Sequence, residues 1–236
     1  MPSAFWPLPM FPLGPLIAAL LVIGFTDGKT GLKAWWARIK KFRAPLWIYA
    51  VAAIFPLCII LMSIALAAAY GAPTQPLDAK GPVELLVLIL IMLLLGPLPE
   101  ELSFRGYGQH YLQETMSPLA ASVWIGIGVL IWHAPVFLFG KVPWPFVITI
   151  VAVSVVYAWL YRAGQSLWPL VVLHFQVNYF GGEWLGRYIA EEGQIVYSLF
   201  FMAFYLIWVV LIIWRCGPTL CGSMLQGGPS DSQSLG

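Results

Sequence analysis

The sequence predicts an all-α, polytopic membrane protein, and three observations carry that prediction. Apolar residue types make up 61% of the 236 residues, and charged types only 9%. A water-soluble domain carries about 25% charged residues, so this chain has too few charges to clothe a water-facing surface. Its apolar runs, such as "LWIYAVAAIFPLCIILMSIALAAA", are long and do not alternate, which is the pattern of helices rather than of half-buried strands. Hydrocarbon also forces each spanning segment to pair its own backbone groups, and about 20 apolar residues do this across the core as a helix.

Eight helices in or near the membrane are expected, arranged around a polar cavity. The first covers 12–26, after the Pro-rich start "MPSAFWPLPMFPLGP", which lacks the basic region of a cleaved signal peptide. Six of the twelve Lys and Arg residues follow in "GKTGLKAWWARIKKFR": Lys29, Lys33, Arg38, Lys40, Lys41 and Arg43. With Trp35 and Trp36 among them, residues 29–43 read as an interfacial helix on an anionic leaflet, on the cytoplasmic side. The neighbouring spans make the lipid bilayer its partner, and no nucleic acid is expected. The second helix is 45–70, and "GAPTQPLDAKGP" reads as a loop. The others are 82–96, closed by Gly96-Pro97, then 99–114, 118–134, 145–162, 167–180 and 194–215. Residues 1–215 form one membrane-embedded domain, and the small, polar stretch 216–236 is expected to be disordered. Cys58, Cys216 and Cys221 show no metal-type spacing and suggest no disulfide framework.

The fourth helix is anomalous. In "GPLPEELSFRGYGQHYL" it carries Glu100, Glu101, Ser103, Arg105, Gln109 and His110. Facing lipid it would be prohibitively polar, so it must face the bundle interior or a water-filled cavity. Pro99 suits a first helical turn, which sets both glutamates near the positive end of the helix dipole. Glu101 and Arg105 are four apart, acid first, the favourable order for an ion pair. Glu100 points about 100° away around the helix. Arg105 therefore holds Glu101 and leaves Glu100 free to act as a general base. Two further histidines lie at membrane depth. His133 in "VLIWHAPVF" stands just before Pro135, while His174 and Asn178 in "HFQVN" share one helix face. His110, late in its helix, fits an interfacial position better than a catalytic one. A water between Glu100 and His133 could be deprotonated and attack a carbonyl. His174 and Asn178 could then donate to the oxyanion, which is amide hydrolysis without a covalent intermediate.

The order of these motifs resembles a known family. "EELSFR" fits an EExxxR motif, "HFQVN" fits an HxxxN motif, and His133 lies between them. Over about residues 82–180 the chain is similar to the CPBP family of membrane proteases, which includes type II CAAX prenyl endopeptidases and bacterial Abi-type proteins. The resemblance implies eight membrane helices around a conical cavity. It implies Glu100 and His133 as the water-activating pair, His174 and Asn178 as the oxyanion site, and Glu101 and Arg105 as supports. One departure stands out: the family often has an aromatic residue four before the middle histidine, where this chain has Val129.

The chain lacks HExxH, so the expected chemistry uses no cofactor. If a divalent metal such as zinc is bound, Glu100, His133 and His174 would be its ligands. The expected function is that of an intramembrane endopeptidase acting on a peptide or membrane-anchored protein, in a bacterial inner (cytoplasmic) membrane. Prenylated CAAX substrates are expected only in a eukaryotic setting. The alternative is a non-enzymatic protein, such as a bacteriocin self-immunity factor or a scaffold. A transporter is disfavoured because the sequence shows no internal repeat.

Overall fold

A computed structural model describes residues 11–139 and 142–221. Among them the regular structure is helical, apart from one isolated antiparallel bridge between Thr74 and Ile189. The protein is an all-α polytopic membrane protein. Among the described residues five helical stretches are long and apolar enough to cross a bilayer: Leu46–Ala69, Pro82–Leu112, Pro118–Leu138, Pro145–Gly164 and Glu191–Thr219.

That count differs from the eight helices expected, for two physical reasons. The runs 82–96 and 99–114 are consecutive pieces of one span. In it α4 (Pro82–Leu95) and α5 (Pro97–Ser103) meet at Gly96, whose backbone (φ −130°, ψ −96°) leaves the helical region without reversing the chain. In addition, α1 (Gly14–Thr26) and α9 (Trp168–Gln176) are short for a full crossing of the hydrocarbon core.

α1 runs directly into α2 (Gly28–Ile39), the basic segment. Trp35 and Ile39 bury one side of α2, and Lys29, Lys33 and Trp36 stay exposed. α3 (Leu46–Ala69) carries the chain to the opposite side of the bundle. There residues 73–75 pair with 188–190 through Gln75 N–H to the Tyr188 carbonyl and Ala190 N–H to the Pro73 carbonyl, each 2.8 Å. After α5 the helix widens into a π-helical segment, Phe104–Gln109, before a last turn, α6 (His110–Leu112). α7 (Pro118–Leu138) starts with Ser117 capping Ala120 N–H, a favourable N-terminus with proline at its first position. α8 (Pro145–Gly164) is the most enclosed of these spans. α9 continues into a second π-helical segment, Val177–Glu183, and α10 (Gln194–Cys216) closes the bundle.

The core lies where α3, α8, α9 and α10 converge. Ile48, Ile60, Leu160, Leu173, Phe201 and Tyr205 are enclosed there. Gly126 lets α7 approach closely, since a Cβ there would sit 2.9 Å from the Val151 backbone. The outward sides of the spans, such as Leu86, Leu90 and Leu94 on α4, are exposed and apolar. Such a surface is stable only against lipid. At the C-terminal end Cys216 is disulfide-bonded to Cys221, and Leu220 is buried. The expected framework-free cysteines therefore include one local pair, and the described chain continues past the expected start of the tail. Residues 222–236 lie outside the described residues, as does the Pro-rich start through residue 10.

Candidate active site

The site assembles where the broken span of α4 and α5 crosses α8 and α9. Proline at the start of α5 and the break at Gly96 place Glu100 in the first turn of a new helix, and the terminus carries partial positive charge. Ser103 stabilises the turn by donating to the carbonyls of Pro99 and Glu100, both at 2.9 Å.

Glu101 is fully enclosed, and its environment explains how a carboxylate survives there. Its Oε1 accepts from Arg105 Nη1 at 3.1 Å and from His174 Nδ1 at 2.8 Å. Arg105, itself buried, is held on two further sides. Nη2 donates to Ser154 Oγ at 3.0 Å, and the guanidinium stacks 4.6 Å from the Tyr157 ring centre. Ser154 in turn donates to the Ile150 carbonyl at 2.9 Å, which orients its oxygen toward Arg105. Tyr157 also packs against the His174 ring, with centroids 5.8 Å apart. The result is one rigid, mutually paired cluster of Glu101, Arg105, His174, Ser154 and Tyr157. A buried charge is tolerable only when paired in this way.

Glu100, one residue earlier, is only 7% exposed, and its Oε2 has no hydrogen-bond partner among the described residues. Glu101 Oε2 also lacks a partner, but its Oε1 is clamped by two donors, whereas the Glu100 carboxylate makes no hydrogen bond among the described residues. Buried polar atoms are rarely left unpaired, so such an orphan needs an explanation.

His133 lies on α7 with Nδ1 2.8 Å from the Val129 carbonyl. A carbonyl only accepts, so Nδ1 carries the hydrogen and the neutral ring presents a bare Nε2. The departure at position 129 leaves this bond intact, because the main chain and not the side chain makes it. No hydrogen bond joins His133 directly to Glu100 among the described residues. Asn178 sits in the second π-helical segment, with its amide nitrogen 3.8 Å from where a Cβ on Gly96 would stand. It thereby meets the chain break just ahead of Glu100. His174 Nδ1 is committed to Glu101, which leaves Nε2 for a substrate.

Sequence reasoning missed Ser154 and Tyr157. Both are polar-headed residues three apart on α8, hence on one face, and that spacing was the available signal. It also missed two anchors from α2. Trp35 Nε1 donates to the Leu102 carbonyl and Arg38 Nε to the Gly106 carbonyl, each at 3.1 Å. A π-helical segment disturbs the regular backbone ladder, and these two side chains bond carbonyls beside and within it. Among the described residues no group of three or more His, Cys, Asp or Glu stands together as a metal site would require.

Residues 82–180, which contain every residue of this constellation, match the family described as type II CAAX prenyl endopeptidase Rce1-like. Over this segment the chain is similar to that family. A curated relative, CAAX prenyl protease 2 of Methanococcus maripaludis, is 27% identical over 136 residues, 51% of this chain and 50% of that protein. The chain thus spans about half the length of the curated relative it matches. The matched segment runs from the first turn of α4 through α9 into the second π-helical segment, and both π-helical segments lie wholly or partly inside it.

Proposed function

We propose that this protein is an intramembrane endopeptidase that hydrolyses a peptide bond with a water activated by Glu100 and His133. The observation that carries this reading is the contrast between the glutamates: Glu101 is clamped through Oε1 by Arg105 and His174, while the carboxylate of the neighbouring buried Glu100 makes no hydrogen bond among the described residues. The Rce1-like match and the relative named CAAX prenyl protease 2 support it.

The chemistry follows from the charges. A water bound between the Glu100 carboxylate and the bare Nε2 of His133 is oriented by both and gives its proton to Glu100 as it attacks the carbonyl carbon. The carbonyl oxygen takes up the negative charge. Asn178 donates to it, and so does His174 Nε2 when that ring is an imidazolium. In that form Glu100 and Glu101 balance Arg105 and His174, so the resting cluster is neutral. Transfer of the water proton to Glu100 creates one oxyanion and removes one carboxylate, so the neutrality persists through the transition state. In a low-dielectric site this avoids a large electrostatic cost. Glu100 then returns the proton to the leaving amine, which breaks the C–N bond. Arg105, Ser154 and Tyr157 take no part in proton movement and fix Glu101, which fixes His174.

The test is cleavage of quenched-fluorescent peptides, prenylated CAAX sequences among them, by detergent-purified protein. Glu100→Gln keeps the shape of the side chain and removes the base. It should abolish cleavage and leave the melting temperature unchanged; cleavage that survives the substitution would show that Glu100 is not the general base.

A further inference from the structure

The cysteine pair at the end of α10 lies at the opposite end of the bundle from the Thr74–Ile189 bridge. Gly193, just ahead of α10, stands against Ala72, just past the end of α3. From there α10 runs antiparallel to α3, with the ring pairs Tyr70–Phe200 and Phe55–Trp208 along the way. Its last residue, Cys216, therefore lies at the end where α3 begins, at Leu46. The basic segment meets the same end: Tyr49 on the first turn of α3 donates to the Phe42 carbonyl at 2.6 Å. One end of the protein thus carries both the Lys and Arg cluster and the bond between Cys216 and Cys221.

Those two features point to different surroundings. A basic cluster beside a membrane span marks a cytoplasmic end. The cytoplasm keeps thiols reduced, and the disulfides found there are transient or redox-sensing ones. The loop that this bond closes is built for such a role. Leu220 (φ 50°) and Cys221 (φ 60°) are consecutive residues in the left-handed region, where a side chain crowds the backbone. Against that strain, Leu220 is fully buried in the main core. The turn Gly217–Thr219 packs on α7, the helix that carries His133. The gain from burying one leucine and the cost of two left-handed residues are of the same order. Without the S–S bond, the seat of Leu220 is therefore close to balance. Pro218 and Thr219, between the cysteines, are exposed, so the loop lies within reach of a soluble reductant.

We propose that Cys216 and Cys221 form a reversible redox latch. Oxidised, the pair holds the loop in its left-handed turn and Leu220 in the core. A dithiol reductant opens it: a thiolate attacks one sulfur, and the reductant's second thiol resolves the mixed disulfide. Two cysteine thiols and one oxidised reductant result. Residues 217–221 then leave the strained conformation, Leu220 leaves its seat, and α7 loses a neighbour.

The test uses the full chain in detergent, with Cys58→Ser as the parent because Cys58 is a free, exposed thiol. The protein is oxidised with oxidised glutathione or reduced with dithiothreitol, and read by maleimide mass shift and amide hydrogen exchange. Reduction should add two maleimides. It should also speed exchange across Ile213–Cys221 by on the order of tenfold, the change expected on opening a short closed loop. A glutathione mixture at the cytoplasmic ratio should leave the pair reduced. The double variant Cys216→Ser, Cys221→Ser should exchange like the reduced parent and ignore dithiothreitol. Cysteines that stay free in oxidised glutathione overturn the proposal. So does a bond that survives the cytoplasmic mixture, which would be a static staple, and so does exchange that reduction leaves unchanged. Because no readout is cleavage, the outcome is independent of the peptidase reading.

Discussion

Replacing Arg105 by Met should destabilise the bundle by about 4 kcal/mol, within the roughly 3–5 kcal/mol that removal of one partner from a buried ion pair costs. The structure explains the size. Met keeps most of the volume but deletes the bond to Glu101 at 3.1 Å, the bond to Ser154 at 3.0 Å and the stacking on Tyr157 at 4.6 Å. The Glu101 side chain, 0% exposed, is then left with His174 alone and an Oε2 that already lacks a partner. At about 1.4 kcal/mol per tenfold, the folding equilibrium should move by nearly a thousandfold. An exposed pair with the same sequence spacing would be worth only about 0–1 kcal/mol, so the measurement separates the two situations cleanly. The assay is reversible unfolding in mixed micelles, followed by tryptophan fluorescence. The double variant Glu101→Leu, Arg105→Met removes both charges and should regain at least about 2 kcal/mol, because a buried pair replaced by apolar groups is often close to neutral. An Arg105→Met protein within about 1 kcal/mol of the parent, or a double variant no better than the single one, would refute the reasoning.

Further outcomes follow from other contacts. Asn178→Ala should lower kcat about 100-fold with little change in KM, the loss expected for one oxyanion donor; steady-state kinetics on a cleaved peptide decide this. Gly126→Ala should cost about 1–3 kcal/mol, since the added methyl would stand 2.9 Å from the Val151 backbone and 3.2 Å from Ser154. The same substitution displaces the serine that holds Arg105, so unfolding and cleavage should weaken together. Trp35→Phe keeps the ring but leaves the Leu102 carbonyl without its donor. It should cost about 1–2 kcal/mol in the same micelle assay and speed amide hydrogen exchange across Ser103–Gln109.

Several elements were legible because their cause is local. Membrane embedding follows from the shortage of charge, and the helical class follows from the backbone's need to satisfy itself in hydrocarbon. The Glu101–Arg105 pair follows from a spacing of four on one helix. The candidate constellation was legible for a different reason: ionisable groups are so rare in this chain's spans that each one draws notice. What stayed hidden depends on which helix lies beside which. The expected eight helices became five long spans among the described residues because the pieces either side of Gly96-Pro97 belong to one span, and because α1 and α9 are too short to cross by themselves. The partnership of Cys216 with Cys221 was missed because spacing alone does not show that a turn of 3₁₀ helix brings them together.

The amino-acid sequence by itself determined the solvent in which this protein folds, its helical class, and which side chains carry charge into the membrane, since all three follow from composition and from periods of three to four residues. Only the tertiary structure decided the allocation of partners. It committed His174 to Glu101 through a contact between residues 73 positions apart, brought Ser154 and Tyr157 from α8 onto Arg105, and left Glu100 with its free oxygen. The physical reason is that a buried carboxylate is neutralised by whatever packing brings within about 3 Å, and that distance is set by the crossing of helices rather than by their order along the chain.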